Sequence, residues 1–392
     1  MDKPWVTVIG LNEDGLAGLS LASRQALDQA EIVFGAPRHL ALAGVSGRAW
    51  PVPFSVDPVL AERGRRVVVL ASGDPFWQGA GGSLVGHLAA GEWVSYPAPS
   101  TFALAANRLG WRMEEIVCLG LHAAPLARLR PVLARGQKVV CLLRDGAAVG
   151  EVCAYLTAQG FGGSAVFVLE SLGGAKERVT QITAQDAGGL SFAAPVAVAV
   201  ECVGQGMARA SGLPDDLFAH DGQITKRPMR ALTLSTLAPR GGEVMWDLGA
   251  GSGSVSIEFL LAAPASTAHA VEADPMRAER AQGNADSFGL AHRWHLHLGK
   301  SQDVLAKLPD PDVVFVGGGA DAGLVAALWG RLSKGARLVM NAVTLESEAL
   351  LYAAQAQHGG DLWRYDVAQA APLGGKQGWH AARPVVQWSV TR

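Results

Sequence analysis

The stretch EVMWDLGAGSGSVSIEFL, residues 243–260, decides the reading of this chain. An apolar run with strand character leads into Asp247-x-Gly249-x-Gly251-x-Gly253, and an apolar helical run follows at once. Glycines at these places let the backbone turn sharply at a strand end and approach a ligand with no Cβ in the way. The helix that follows turns its unpaired N–H groups toward the same spot. Asp247, at the strand end, is placed to meet an amine or to orient the loop. A dinucleotide-binding turn would read G-x-G-x-x-G/A. Counted from Gly249 the third position falls on Ser254, and from Gly251 on Ser256, so both registers fail. Downstream, AHAVEAD carries Glu272, nineteen residues after Gly253. An acid at the end of a second strand can accept both hydroxyls of a ribose. Asp274 stands near enough to share or replace that role.

Around this turn, short β-branched runs alternate with Ala- and Leu-rich stretches, the pattern of parallel α/β architecture. Strands are expected at Val244–Asp247, Ala268–Glu272, Trp294–Leu298, Val313–Val316 and Arg337–Asn341. Leu362–Val367 and Val385–Val390 would complete the sheet as late antiparallel strands. Upstream, GQGMARASGLPDD at 204–216 has no period and is rich in Gly, Ser, Pro and Asp, which marks a break. The expected division is a first domain over 1–204, a linker over 205–216 and a second domain over 217–392.

The first domain reads as strands at Val6–Ile9, Glu31–Phe34, Val67–Leu70, Ile116–Leu119, Lys138–Leu143 and Ala165–Leu169, with Pro195–Val203 a buried or edge strand. Helices are expected over Leu16–Ala30, Thr101–Leu109 and Ala147–Gln159. Three turns stand out: Gly10 and Gly15 past the first strand, Gly73-Asp74-Pro75 past another, and Pro99-Ser100-Thr101 opening a helix. Singly, Ser or Thr before a helix is an ordinary N-cap and Gly-Asp-Pro an ordinary turn.

The glycine string at 247–253 resembles the first motif of class I S-adenosylmethionine methyltransferases. The three turns of the first domain, in order, resemble the tetrapyrrole methylase family, a second and unrelated S-adenosylmethionine fold. AEIVFGAPRHL, CLGLH ending at His122, LLRDG and VLESLGGAKERV extend that likeness. The join LPDDLFAHDGQITKRPMRALTLSTLAP and the C-terminal PLGGKQGWHAARPVVQWSV resemble the precorrin-6Y methyltransferase (decarboxylating) family, in which the two folds are fused. The resemblance covers essentially the whole chain. It departs at Ala123-Ala124-Pro125, where Gly-Arg is expected, and at Gly299-Lys300-Ser301, where Gly-Asp-Ala is expected. It implies an N-terminal tetrapyrrole methylase fold of two α/β subdomains followed by a Rossmann-like class I domain. It further implies one S-adenosylmethionine site per domain, at Gly10, Gly73, Asp74, Pro75, Ser100 and Thr101 in the first and at Asp247, Gly249, Gly251, Gly253 and Glu272 in the second. The implied reaction converts precorrin-6B to precorrin-8 in cobalamin biosynthesis. The first domain methylates carbon 5; the second methylates carbon 15 and removes the ring C acetate carboxyl.

A substrate rich in carboxylates calls for Arg and Lys. Arg38 and His39 in the first domain, and Arg227 and Arg230 in the second, are the candidate substrate contacts. Gly317-Gly318-Gly319 would let a flat ring lie against the backbone, and Asn341 and Thr344 offer pocket polarity. Thr225, Lys226 and Glu346 are the candidate catalytic groups, with Glu346 a proton donor if buried. His292, His295 and His297 cluster in AHRWHLHLG, but no third fixed ligand is legible and no metal is expected.

Composition agrees with an enzyme of small molecules. A net charge of −2 over 392 residues, with no basic excess in either half, argues against a nucleic-acid or anionic-membrane partner. The four cysteines form no CxxC pair, as in a reducing compartment. No leading h-region and no long apolar run are present, so a cytoplasmic protein is expected. A homo-oligomer is expected from the resembled families. The remaining readings are methyl transfer to a cobalt-containing precorrin, to RNA or to protein.

Overall fold

The computed structural model describes residues 4–392. They form two compact units. One runs to Leu126 and resumes over Val132–Gly206; the other takes Ala127–Pro131 and Met207–Arg392.

The first unit holds two five-stranded sheets. One comprises β1 (Val6–Leu11), β2 (Ile32–Gly35), β3 (Arg48–Ala49), β4 (Val67–Ser72) and β5 (Trp93–Tyr96) in the order β3-β2-β4-β1-β5, all parallel. The central strands are covered on both faces, which is why VTVIGL and VVVLAS are mostly apolar rather than alternating. The other sheet comprises β6 (Ile116–Gly120), β7 (Lys138–Leu142), β8 (Ala165–Glu170), β9 (Arg178–Thr183) and β10 (Val196–Glu201), in the order β6-β7-β10-β8-β9. β10 is antiparallel to both its neighbours, so the Pro195–Val203 run is a central strand, not an edge. The helix expected over Leu16–Ala30 is divided. A 3-10 turn covers Gly15–Gly18 and the helix proper is Leu21–Asp28, because Ser20 takes the cap and accepts the amide of Ser23 at 3.1 Å.

The second unit carries one seven-stranded sheet. Its strands are β11 (Val244–Leu248), β12 (Thr267–Glu272), β13 (Trp294–Leu298), β14 (Val313–Val316), β15 (Arg337–Ala342), β16 (Asp361–Tyr365) and β19 (Val385–Thr391). A separate hairpin, β17 (Ala368–Leu373) and β18 (Lys376–Ala381), is inserted between the last two. The order is β13-β12-β11-β14-β15-β19-β16, parallel through β15, with β19 antiparallel to both β15 and β16. Strand order reverses at β11, and the crevice beyond such a reversal is where ligands bind in open α/β sheets. β11 sends Trp246 and Leu248 into one core layer and Met245 into the other, as a period of two requires.

Part of the stretch expected as a linker is built into this unit. Leu213 is buried, and the amides of Gly212 and Leu213 donate to Glu258 at 2.6 and 3.0 Å. Arg230, on the helix Arg227–Leu237, donates to Glu258 Oε1 at 2.6 Å and Asp215 Oδ1 at 2.9 Å, and to the carbonyls of Leu213 and Thr225. It is wholly buried, over the Phe218 ring. The expectation that Arg230 meets substrate is therefore corrected. Its donors are committed to fastening residues 213–225 onto the unit, and none of its surface faces solvent.

Candidate active sites

In the first unit three loops converge at the C-terminal ends of β1 and β4. A Cβ on Gly10 would lie 2.0 Å from the Gly73 carbonyl and 2.4 Å from the Ala98 amide. Gly73 has a φ of +51°, and its own Cβ would lie 3.1 Å from Pro99 O. The Ala98 amide donates to Gly73 O at 3.1 Å, and Asn12 Nδ2 to Pro99 O at 3.0 Å. Only glycine permits this approach at Gly10. Ser100 caps the helix Thr101–Leu109 by accepting the Ala103 amide, and Asp74 accepts the Phe76 amide at 2.9 Å. Pro75 is buried and packs on Gly79 and Gly81.

A cleft of about 410 Å³ opens on these loops, lined by Asp74, Ser100, Thr101 and His122 together with Arg38 and His39. Its other wall is aromatic, with Trp50 and Phe54 at 5.0 Å between centroids. Arg38 is ion-paired with Glu13 and donates to Ser72 Oγ at 3.2 Å. His39 Nε2 lies 2.8 Å from the same hydroxyl. Burial, then the neighbouring Arg38 charge, pushes His39 down to about 4, so its ring is neutral. Glu13 was not singled out from sequence. The signal was an acid inside the Gly10–Gly15 turn, within reach of a cationic helix start at Arg38.

In the second unit the glycine string forms a turn in which Gly249, Gly251 and Gly253 all have positive φ. The helix Ser254–Ala262 starts directly from it. A Cβ on Gly249 would lie 3.0 Å from Gly318 O, so this turn and the Gly317–Gly319 turn meet backbone to backbone across the switch point. Gly318 and Gly319 face open space. Glu272 accepts the Gly251 amide at 2.8 Å and the amides of Ala273 and Asp274 at 2.9 Å, so it braces the loop while keeping lone pairs in reserve. Asp274 is spent as the cap of the helix Pro275–Ser287.

Asp247 is fully buried. Its Oδ2 accepts from Ser256 Oγ at 2.5 Å, while Oδ1 has no partner. Burial pushes its pKa up to about 6, against the pull of the Ser256 donors, and the Glu272 charge adds to the rise. An orphaned buried acceptor beside a cradle of glycines fits a ligand that brings a positive amine and needs close backbone approach. That is the amino-acid end of S-adenosylmethionine. Ser256 and its partner Trp294 were not singled out, because a serine inside a helix carries no local sign of what it bonds.

Among the remaining candidates, Lys226 and Arg227 are exposed at the start of the helix Arg227–Leu237. Thr225 offers its carbonyl to Arg230. The segment passes close to the glycine turn, since Gln223 O would lie 3.8 Å from a Cβ on Gly251. Asn341 is drawn inward. It donates to Thr233 Oγ1 at 3.0 Å and accepts from the buried Gln387 at 2.9 Å, which commits its amide to joining helix and sheet rather than to substrate. Glu346 is exposed in the first turn of the helix Leu345–His358, so the burial required of a proton donor is not met. Thr344 caps that helix in a capping box with Ser347. Val343 and Leu345, 51% and 79% exposed, form an apolar rim past β15 that sequence reasoning missed. His295 and His297 gather with His269 rather than with His292, with ring centroids 5.0 and 5.3 Å from His269. Among the described residues no set of three or more His, Cys, Asp and Glu is arranged to hold a metal ion. Nor is any helix of those residues long and apolar enough to cross a membrane.

Comparison with known proteins adds to this geometry. Residues 6–188 match the family of tetrapyrrole (corrin/porphyrin) methylases, and residues 216–392 match a precorrin methyltransferase domain. A Sinorhizobium protein named precorrin-6Y C(5,15)-methyltransferase (decarboxylating) is 46% identical over 402 aligned positions, covering 100% of this chain and 97% of its own length. A Pyrobaculum calidifontis protein named probable cobalt-precorrin-6B C(15)-methyltransferase (decarboxylating) is 39% identical over 163 positions, 40% of this chain and 82% of its own. The crystal structure of the C-terminal domain of precorrin-6Y C5,15-methyltransferase from Rhodobacter capsulatus is 52% identical. It covers 47% of this chain and 100% of that one, with a TM-score of 0.46.

Proposed function

The chain belongs to the decarboxylating precorrin-6Y C(5,15)-methyltransferase family, and from that membership we propose that it methylates two meso carbons of precorrin-6B and releases the ring C acetate carboxyl as carbon dioxide, giving precorrin-8. The first unit carries the carbon-5 transfer. The second carries the carbon-15 transfer and the decarboxylation. The observation that supports a cofactor site in the second unit most directly is the unpartnered, buried Oδ1 of Asp247 beside the glycine turn.

S-adenosylmethionine supplies a methyl group on a sulfonium, electrophilic enough for an electron-rich meso carbon to attack without an activated protein nucleophile. What the chain contributes is orientation and exclusion of water. In the second unit Asp247 takes the amine, Glu272 the ribose side and the glycine turn the backbone. The bare Gly317–Gly319 turn gives a wide ring a floor without side chains, with Val343 and Leu345 as its apolar rim. Lys226 and Arg227, exposed next to the turn, meet the substrate's carboxylates. In the first unit the loops around Gly10, Gly73, Asp74 and Ser100 hold the cofactor, and Arg38, steadied by Glu13, Ser72 and His39, binds a carboxylate. Decarboxylation breaks the bond between the acetate methylene and its carboxyl. The electron pair left on the methylene carbon is delocalised into the conjugated ring, and it returns to that carbon as the bond to an incoming proton, making a methyl group.

The test uses the full chain with methyl-labelled cofactor and precorrin-6B, followed by product mass. The native chain should add two methyl groups and lose carbon dioxide. Gly10→Val should add one and still lose carbon dioxide; Gly251→Val should add one and retain the carboxyl. Decarboxylation surviving in Gly251→Val would overturn the assignment of that step to the second unit.

A further inference from the structure

In the second unit a chain of hydrogen bonds runs inward from the sheet edge to the glycine turn. Trp294 Nε1 donates to Ser256 Oγ at 2.9 Å. Ser256 Oγ donates to Asp247 Oδ2 at 2.5 Å, and the Ser256 amide reaches the same oxygen at 3.3 Å. The three residues are 1%, 0% and 1% exposed. They come from three elements: β13, the helix after the turn and the end of β11. Both protein donors fall on one oxygen of the carboxylate and leave the other without a partner. A buried acceptor left bare is costly, and native proteins keep few such atoms without a use.

The serine hydroxyl has a second acceptor within reach, Gly253 O at 3.2 Å. Accepting the indole N–H fills one lone pair of the hydroxyl, fixes its rotation and polarises it as a donor. Burial opposes ionisation of Asp247, and the Glu272 charge adds to that opposition. The Ser256 donors act the other way and favour the carboxylate. The chain thus does two things at once: it fixes the carboxylate's orientation and helps keep it charged.

We propose that Trp294 and Ser256 are positioning residues that hold the Asp247 carboxylate in one orientation, reserving Oδ1 for the primary ammonium group of an amino-acid-bearing nucleoside. This rests on the reading of Asp247 as part of the second unit's cofactor site. Neither residue touches the cofactor; each acts through the acid.

The experiment titrates the full chain calorimetrically with two probes. One is S-adenosylhomocysteine, which carries the ammonium group; the other is 5′-methylthioadenosine, which keeps the adenosine and lacks the amino acid. Asp247→Asn marks the second unit's site as the one it weakens, and any other site serves as internal reference. At neutral pH, Ser256→Ala and Trp294→Phe should each weaken S-adenosylhomocysteine at the marked site, Ser256→Ala by about tenfold. Both should leave 5′-methylthioadenosine unchanged, and Ser256→Thr should restore binding. Affinity for S-adenosylhomocysteine should fall as the pH drops through about 6 in the native chain, and the fall should begin at higher pH in Ser256→Ala. Equal weakening of both probes would make the pair merely structural and overturn the proposal. So would native binding in Ser256→Ala and Trp294→Phe while Asp247→Asn is weakened. Unchanged binding in Asp247→Asn itself would instead remove the cofactor reading of Asp247, and the proposal with it.

Discussion

The carboxylate of Glu272 accepts the amide of Gly251 at 2.8 Å, so the acid ending β12 holds the turn that ends β11. Its other oxygen accepts two further amides, from Ala273 and Asp274. Glu272→Gln replaces one acceptor oxygen by an NH₂ group, which must face a backbone donor. The expected result is a loosened turn and cofactor affinity at the second unit lowered by roughly tenfold or more. Calorimetric titration with S-adenosylhomocysteine checks it, with Glu272→Asp expected to be weakened less.

The buried pair Arg230–Glu258 gives a prediction about stability rather than binding. Removing one partner leaves the other buried with its charge uncompensated. Arg230→Ala should cost the second unit about 3–5 kcal/mol, and the double change Arg230→Met with Glu258→Leu should fail to recover that loss in full, because it also strips the Gly212 and Leu213 amides of their acceptor. Urea unfolding of the three chains measures it. Glu258→Gln should also loosen residues 212–213, whose amides it accepts, and hydrogen exchange there should quicken.

The histidine cluster on β12 and β13 sets a pH dependence. Burial first, then the charges of His295 and His297, hold His269 at about 4 against an ordinary 6.5. Below 6.5 the unfolded chain takes up this proton while the folded chain does not. The contribution is therefore intact above 6.5 and is lost as the pH falls toward 4. The urea midpoint should drop across that window, and His269→Gln should flatten part of the drop. A slope unchanged in His269→Gln would show that other groups carry it.

Much of the architecture was legible because strand burial writes itself into apolar runs. Val67–Leu70 and Val313–Val316 are covered on both faces and read as unbroken apolar segments. What escaped notice was exposed or short. β9 and the hairpin β17–β18 are largely solvent-facing, so their sequences carry no hydrophobic stripe. The glycine turns were legible because glycine is required where backbones touch, as at Gly10 and Gly249. The cations were harder. Arg230 and Lys226 sit four residues apart in one basic cluster, yet one is sealed in the interior and the other exposed, and nothing local distinguishes them. Asn341 reads as a pocket group in the sequence because the residues that occupy its amide, Thr233 and Gln387, are distant along the chain.

The contact between Gly249 and Gly318 bears on how such a site can change over generations. Any side chain acquired at Gly249 would strike the other turn's carbonyl at 3.0 Å. To an evolving sequence the constraint is one-sided: Gly249 cannot gain bulk unless the other turn retreats, whereas Gly318 looks onto open space. Inherited variation is accommodated on the open side, at Gly318 or at Val343 and Leu345, where a larger or more polar side chain displaces nothing.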